Sequence, residues 1–147
     1  MQWQPPSVGS VKVNFDGVVF GEEQEGNIGV VIHSNKGQVL AALSEKVPMP
    51  TSVEILEMLA ARRTALFARE LVFHKVCFIG DANLVVKSLQ ARKASNVLVG
   101  HLVKDFTSIG DYFQSSSIIH VRRQGNYVNY VAHALARNAR FSFPLRV

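Results

Sequence analysis

The sequence predicts an α/β fold built on a mixed sheet, and three observations carry that prediction. Residues 11–19 alternate, with Val11, Val13, Phe15 and Val19 on one side and Lys12, Asn14 and Asp16 on the other, the period of a half-buried strand. After Pro48 and Pro50 the apolar period lengthens from two to about 3.6, which marks a helix. Residues 75–79 are apolar on both faces, as in a central strand covered by helices on both sides.

The elements follow in order. Strand 11–19 is succeeded by strands 26–34 and 38–47 flanking the Asn35-Lys36-Gly37 turn, a hairpin that completes a three-strand meander. Thr51-Ser52-Val53-Glu54 has the spacing of a capping box and opens a helix over 53–72, which gives Glu54 a structural role. Strand 75–79 ends at Gly80-Asp81, and helices follow over 82–91 and 97–113, the second with Leu98, Leu102, Phe106, Ile109 and Phe113 at helical spacing. A last strand over 117–123 and a last helix over 129–140 give the order βββαβααβα.

A chain of 147 residues with 48% hydrophobic content suits one compact core, so residues 1–147 are expected to form a single domain, and size alone suggests a monomer. No apolar run reaches the roughly 18 residues of a spanning helix, and the N-terminal residues lack the apolar core of a signal peptide. The expectation is a soluble intracellular protein, nuclear or cytoplasmic, with no membrane partner. Cys77, the single cysteine, lies in the apolar run VCFI and reads as a small buried thiol without catalytic role. His33, His74 and His101 lack metal-ligand spacing and read as surface residues, and His120 as structural. Charge is unevenly spread: residues 1–70 hold six Lys/Arg and eight Asp/Glu, residues 71–147 ten and three, giving −2 and +7. Such asymmetry suits a polyanionic partner, and equally a solvated basic surface.

Three acids invite a chemical reading. Asp16 lies on the polar face of the first strand, Asp81 at the C-terminal end of a buried strand, where α/β sheets place ligands, and Glu57 in the second turn of the first helix. Together they would form a hard oxygen site suited to Mg2+ or Mn2+. Each also has a structural explanation: a bend or bulge at Asp16-Gly17, an N-cap at Asp81, an exposed helical position at Glu57. Convergence requires the first and fourth strands to be neighbours, which spacing alone does not fix.

With these residues in place, the chain resembles the ribonuclease H family, in particular its plant, reverse-transcriptase-like, retrotransposon-related type 1 branch. The resemblance covers nearly the whole chain. It rests on Trp3-Gln4-Pro5-Pro6 leading into Val11-Lys12-Val13-Asn14-Phe15-Asp16-Gly17, and on Gly29-Val30-Val31-Ile32 with Gly37-Gln38-Val39-Leu40. It continues through Glu57-Met58-Leu59-Ala60-Ala61, Gly80-Asp81 with Val85-Val86, and Val121-Arg122-Arg123-Gln124-Gly125-Asn126 before Ala132-His133-Ala134-Leu135-Ala136. It implies a ribonuclease H-like fold: a five-stranded mixed sheet in the order 3-2-1-4-5 with helices on both faces, which makes the first and fourth strands neighbours. It also implies that Asp16, Glu57 and Asp81 are metal ligands and catalytic residues, and that the family's fourth position, usually Asp, falls on His133.

What the resemblance implies about activity is a metal-dependent endonuclease that cuts the RNA strand of RNA–DNA hybrids, with two Mg2+ or Mn2+ ions in the substrate complex and no small-molecule organic cofactor. Neutral imidazole at His133 removes one ligand charge and shifts preference from magnesium towards manganese; the plant branch often carries His there. His133 shares a polar stripe with Asn129 and Arg137. The loop Arg123-Gln124-Gly125 lacks the mobile histidine of bacterial and animal relatives, the repeated Asn-Tyr-Val over 126–131 inserts three residues ahead of His133, and the basic helical protrusion of some relatives is missing. Candidate phosphate contacts are Lys87, Arg92, Lys93, Arg122, Arg123 and Arg137, each also readable as a solvated charge, with Asn14, Gly17 and Asn126 beside the site. The alternative is a catalytically weak or inactive nucleic-acid-binding domain of the same fold. A protein-interaction module is a third class, for which the apolar run at 141–147 is the candidate surface.

Overall fold

Strand β1 (Ser10–Phe20) is the organising element, since it is hydrogen-bonded on both edges. In the computed structural model, which describes residues 10–20, 25–48, 50–93, 96–122 and 145–146, it pairs antiparallel with β2 (Glu25–Ser34) and parallel with β4 (Lys75–Gly80). Strand β3 (Val39–Pro48) flanks β2 antiparallel, and β5 (Ser115–His120) flanks β4 in parallel. The order 3-2-1-4-5 is therefore present. A two-residue strand, β6 (Leu145–Arg146), extends it by pairing with Leu43 and Ser44 on the outer edge of β3. The rest of the apolar run at 141–147 lies outside the described residues.

Helices α1 (Val53–Glu70), α2 (Asn83–Ala91) and α3 (Val97–Gly110) join one apolar cluster with the first face of the sheet. The register aligns Val13 with Ile32 and Phe78, and Phe78 with Ile118, so alternate residues of neighbouring strands present one apolar surface. Phe78 meets Phe106 and Phe113 edge to face at 5.3 and 6.0 Å between ring centres. On the second face, Val31 and Ile79 are buried outside that cluster. The helix expected at 129–140 lies outside the described residues.

Local details correct the sequence reading. The N-cap of α1 is Ser52, whose Oγ accepts from the Ile55 N–H at 3.1 Å, so the cap falls one residue later than a Thr51–Glu54 box. Helix α3 ends at Gly110, and β5 begins at Ser115 rather than 117 and stops at His120. Cys77 is half-buried rather than buried, because it belongs to the second face. No helix among the described residues is long and apolar enough to cross a membrane.

Candidate active site

The parallel register ends with Asn14 beside Ile79, so Asp16 and Asp81, each two residues further on, emerge side by side at the C-terminal ends of β1 and β4. Two glycines permit this. A Cβ at Gly80 would stand 2.8 Å from Cζ of the buried Phe15 ring, so only glycine lets β4 close on β1 here. A Cβ at Gly17 would meet Leu56 Cγ at 3.0 Å and Glu57 Oε1 at 3.3 Å, so glycine there lets the first turns of α1 lie close over the end of β1. The third carboxylate arrives by that approach.

One ligand oxygen from each of Asp16, Glu57 and Asp81 lies within 4.8 Å of the other two. The structural explanations offered for these residues do not hold, since β1 pairs with β2 through Asp16 and Gly17 without a register shift. Glu57 is 5% exposed rather than a surface residue, Asp16 is 1% exposed, and α2 is capped at Ala82 without a side-chain bond, so Asp81 is not its N-cap. The Gly17 N–H donates to Asp16 Oδ1 at 2.9 Å and to Glu57 Oε1 at 3.1 Å. Two unit charges at that spacing repel by roughly 3 kcal/mol at an effective dielectric of about 20, more than one shared N–H returns. Burial first, and then the fields of Asp16 and Asp81, push the Glu57 carboxyl well above the usual range, with the Gly17 N–H opposing the rise.

Glu57 Oε2 is buried and receives no hydrogen bond from a described donor. Either a proton shared with Asp16 or a cation would satisfy it, and three clustered carboxylates are a hard oxygen set of the kind Mg2+ and Mn2+ take. The residues present therefore fit a divalent metal.

The acids open onto a groove of about 660 Å³ lined by Asp16, Gly17, Val53, Glu57, Asp81, Ala82 and Arg122. Of the expected nucleic-acid contacts, Gly17 and Arg122 are in this groove; Lys87, Arg92 and Lys93 are exposed elsewhere, and Arg92 lines a different cavity beneath α2 and α3. Asn14 is excluded. It is fully buried, and its Oδ1 accepts from His33 Nε2 at 2.9 Å, so it cannot touch a polymer outside. His33, expected at the surface, is 7% exposed for the same reason. His133, Arg123, Asn126 and Arg137 lie outside the described residues. Two further neighbours of the site are Val53, not singled out from sequence although its place in the first turn of α1 is the available signal, and His120, read there as structural, whose ring lies 3.2 Å from the Asp81 carbonyl oxygen.

Comparison with known proteins agrees with this fold. No curated protein sequence matches the chain. The RNase H1 of the halophilic archaeon Halobacterium salinarum superposes with a TM-score of 0.79 at 25% identity, over 88% of this chain and 96% of that one. The N-terminal RNase H domain of a Mycobacterium tuberculosis protein gives 0.77 at 20% identity, over 88% and 92%. An RNase H1 isolated from compost, in complex with an RNA/DNA hybrid, gives 0.73 at 22% identity, over 87% and 94%. Residues 14–139, which include all three acids, match the reverse transcriptase-like family, and the chain belongs to that ribonuclease H-like family.

Proposed function

We propose that the chain is a metal-dependent endoribonuclease that cleaves the RNA strand of RNA–DNA hybrids, with Asp16, Glu57 and Asp81 as its metal ligands. The observation that carries the reading is the cluster itself: three carboxylates, two buried and Asp81 half-buried, brought within 4.8 Å at a groove floor, one of them with an oxygen that no described donor reaches. Retaining so unfavourable a group has a reason if it holds cations. Mg2+ or Mn2+, two ions with substrate present, would supply a water nucleophile and stabilise the leaving 3′ oxygen. Asp16, Glu57 and Asp81 would hold the ions, and His133 would be the fourth ligand at the family's last position. The Gly17 N–H donates to both the Asp16 and Glu57 carboxylates, and Arg122, which lines the groove, would meet a phosphate entering it. Recognition would run through phosphates and 2′-hydroxyls, with little dependence on base sequence. The hybrid bound by the compost RNase H1 supports the substrate class. Residues 1–147 would work as a single monomeric domain.

The test is cleavage of a labelled RNA–DNA hybrid with Mg2+ and with Mn2+, beside Asp81→Asn. Metal-dependent cutting of the RNA strand that disappears in the variant is expected. Tight hybrid binding without cutting under either metal would replace the nuclease by a binding domain of the same fold.

A further inference from the structure

The C-terminal end of β5 reaches across to the turn that carries Asp81. The Val121 N–H donates to the Gly80 carbonyl at 3.0 Å, and His120 Nε2 lies 3.2 Å from the Asp81 carbonyl oxygen. A carbonyl only accepts, so Nε2 must carry the proton, which selects one tautomer of the ring. Consecutive carbonyls where β4 leaves the sheet are thus held by His120, the last residue of β5, and by Val121 just after it, and the next residue, Arg122, lines the acidic groove. Strand pairing itself stops at Gly80 opposite His120, and α2 starts after Ala82 without a side-chain cap. The bond from His120 therefore extends the hold of β5 one residue past the ladder, onto a metal-site residue.

We infer that His120 is a positioning residue for the metal centre: its Nε2–H fixes the Asp81 backbone and thereby keeps the Asp81 carboxylate and Arg122 together on the groove. The inference rests on Asp81 being a metal ligand. Its effect is preorganisation. A turn that visits other conformations binds metal in proportion to the fraction of time it is competent, so loss of the bond weakens apparent affinity without removing a ligand. One neutral, solvent-exposed hydrogen bond sets the ceiling of that effect at about tenfold. Gln places its amide nitrogen about as far from the backbone as Nε2 and can replace the donor, whereas Phe keeps a flat ring and has none.

The experiment is calorimetric titration of the whole chain with Mn2+, comparing wild type, His120→Phe and His120→Gln after thermal melts show each is folded. A dissociation constant raised about three- to tenfold in the Phe variant and restored near wild type in the Gln variant is expected. Unchanged affinity in a folded Phe variant would overturn the inference, and so would equal weakening in both variants, because the donor would then not be the cause. A wild-type chain that takes up no Mn2+ would overturn the metal-site reading and this inference with it. Nitrogen-15 spectra of the metal-free chain provide an independent readout: the Nε2–H tautomer of His120 is expected, and the Nδ1–H tautomer would overturn the proposed bond directly.

Discussion

The sheet face that carries α1, α2 and α3 and the face that carries Asp16 bury different things. The first closes Val13, Phe15, Val30, Ile32, Leu43 and Phe78 into one apolar cluster with the helices, where burial and dense packing stabilise the fold. The second buries Asn14, Asp16, Asn27, His33 and Ser44, and both polar atoms of the Asn27 amide lack a partner among the described residues. Buried polar groups cost free energy unless they are paired, and a carboxylate beside two others costs more. The difference teaches that stability is generated on the first face and spent at the edge of the second, where the acids converge.

Glu57→Gln is the substitution that should separate the two most sharply. Removing the proposed metal ligand should lower hybrid cleavage on the order of ten-thousandfold. The same change removes like-charge repulsion, so the metal-free protein should gain about 1 kcal/mol, read as a raised urea midpoint in EDTA. Mn2+ should raise the melting temperature of wild type and leave the variant nearly unmoved. A variant that loses activity and stability together would show that Glu57 is a structural group rather than a site held at a cost.

Phe78→Ala probes the opposite face. It removes a fully buried ring packed against Phe106 and Phe113 and should cost about 3–5 kcal/mol of stability by urea denaturation. Metal affinity of the fraction that remains folded should barely change. Gly80→Ala lies where the faces meet: its methyl would intrude on Phe15, costing about 1–3 kcal/mol, and would push β4 from β1, weakening Mn2+ binding as well. Loss of stability without loss of metal affinity would show that the strand spacing is not what aligns Asp16 with Asp81.

These contrasts also explain what the sequence makes legible. Alternation in β1 and the double-sided apolar run of β4 identify the first face, because apolar side chains at period two have only one use there. Alternation cannot distinguish a polar face in water from a polar face that is covered, so Asn14 and His33 read as exposed although they are bonded to each other in the interior. The three acids are visible as residues, but their convergence depends on β1 lying beside β4, which follows from the family resemblance and not from spacing. Ser52 takes the cap because Ser and Thr are adjacent there and either suits the position. His120 reads from the sequence only as structural, because its contact is with a backbone carbonyl, to which no side-chain pattern points.

The smallest expected effect is a slope of stability against pH, and it sets two of the buried titratable groups, His33 and Glu57, against each other. Desolvation, and then the charge of Lys12, hold His33 below its ordinary 6.5, against a backbone interaction at Ser34 that raises it. Between that lowered value and 6.5 the unfolded chain binds more protons, so His33 makes stability fall as pH falls below 6.5. Glu57 acts in reverse: above its ordinary 4.5 the folded chain binds more protons, so its contribution makes stability fall as pH rises. Each slope is at most about 1.4 kcal/mol per pH unit, and in metal-free wild type the two partly cancel between 4.5 and 6.5. His33→Gln keeps a donor for Asn14 Oδ1 and removes the first slope, so its urea midpoint in EDTA should decline with rising pH across that window. Glu57→Gln should show the opposite trend, and the double variant should be nearly flat. A His33→Gln curve parallel to wild type would mean that His33 is solvated, and the second face less closed than its burial indicates.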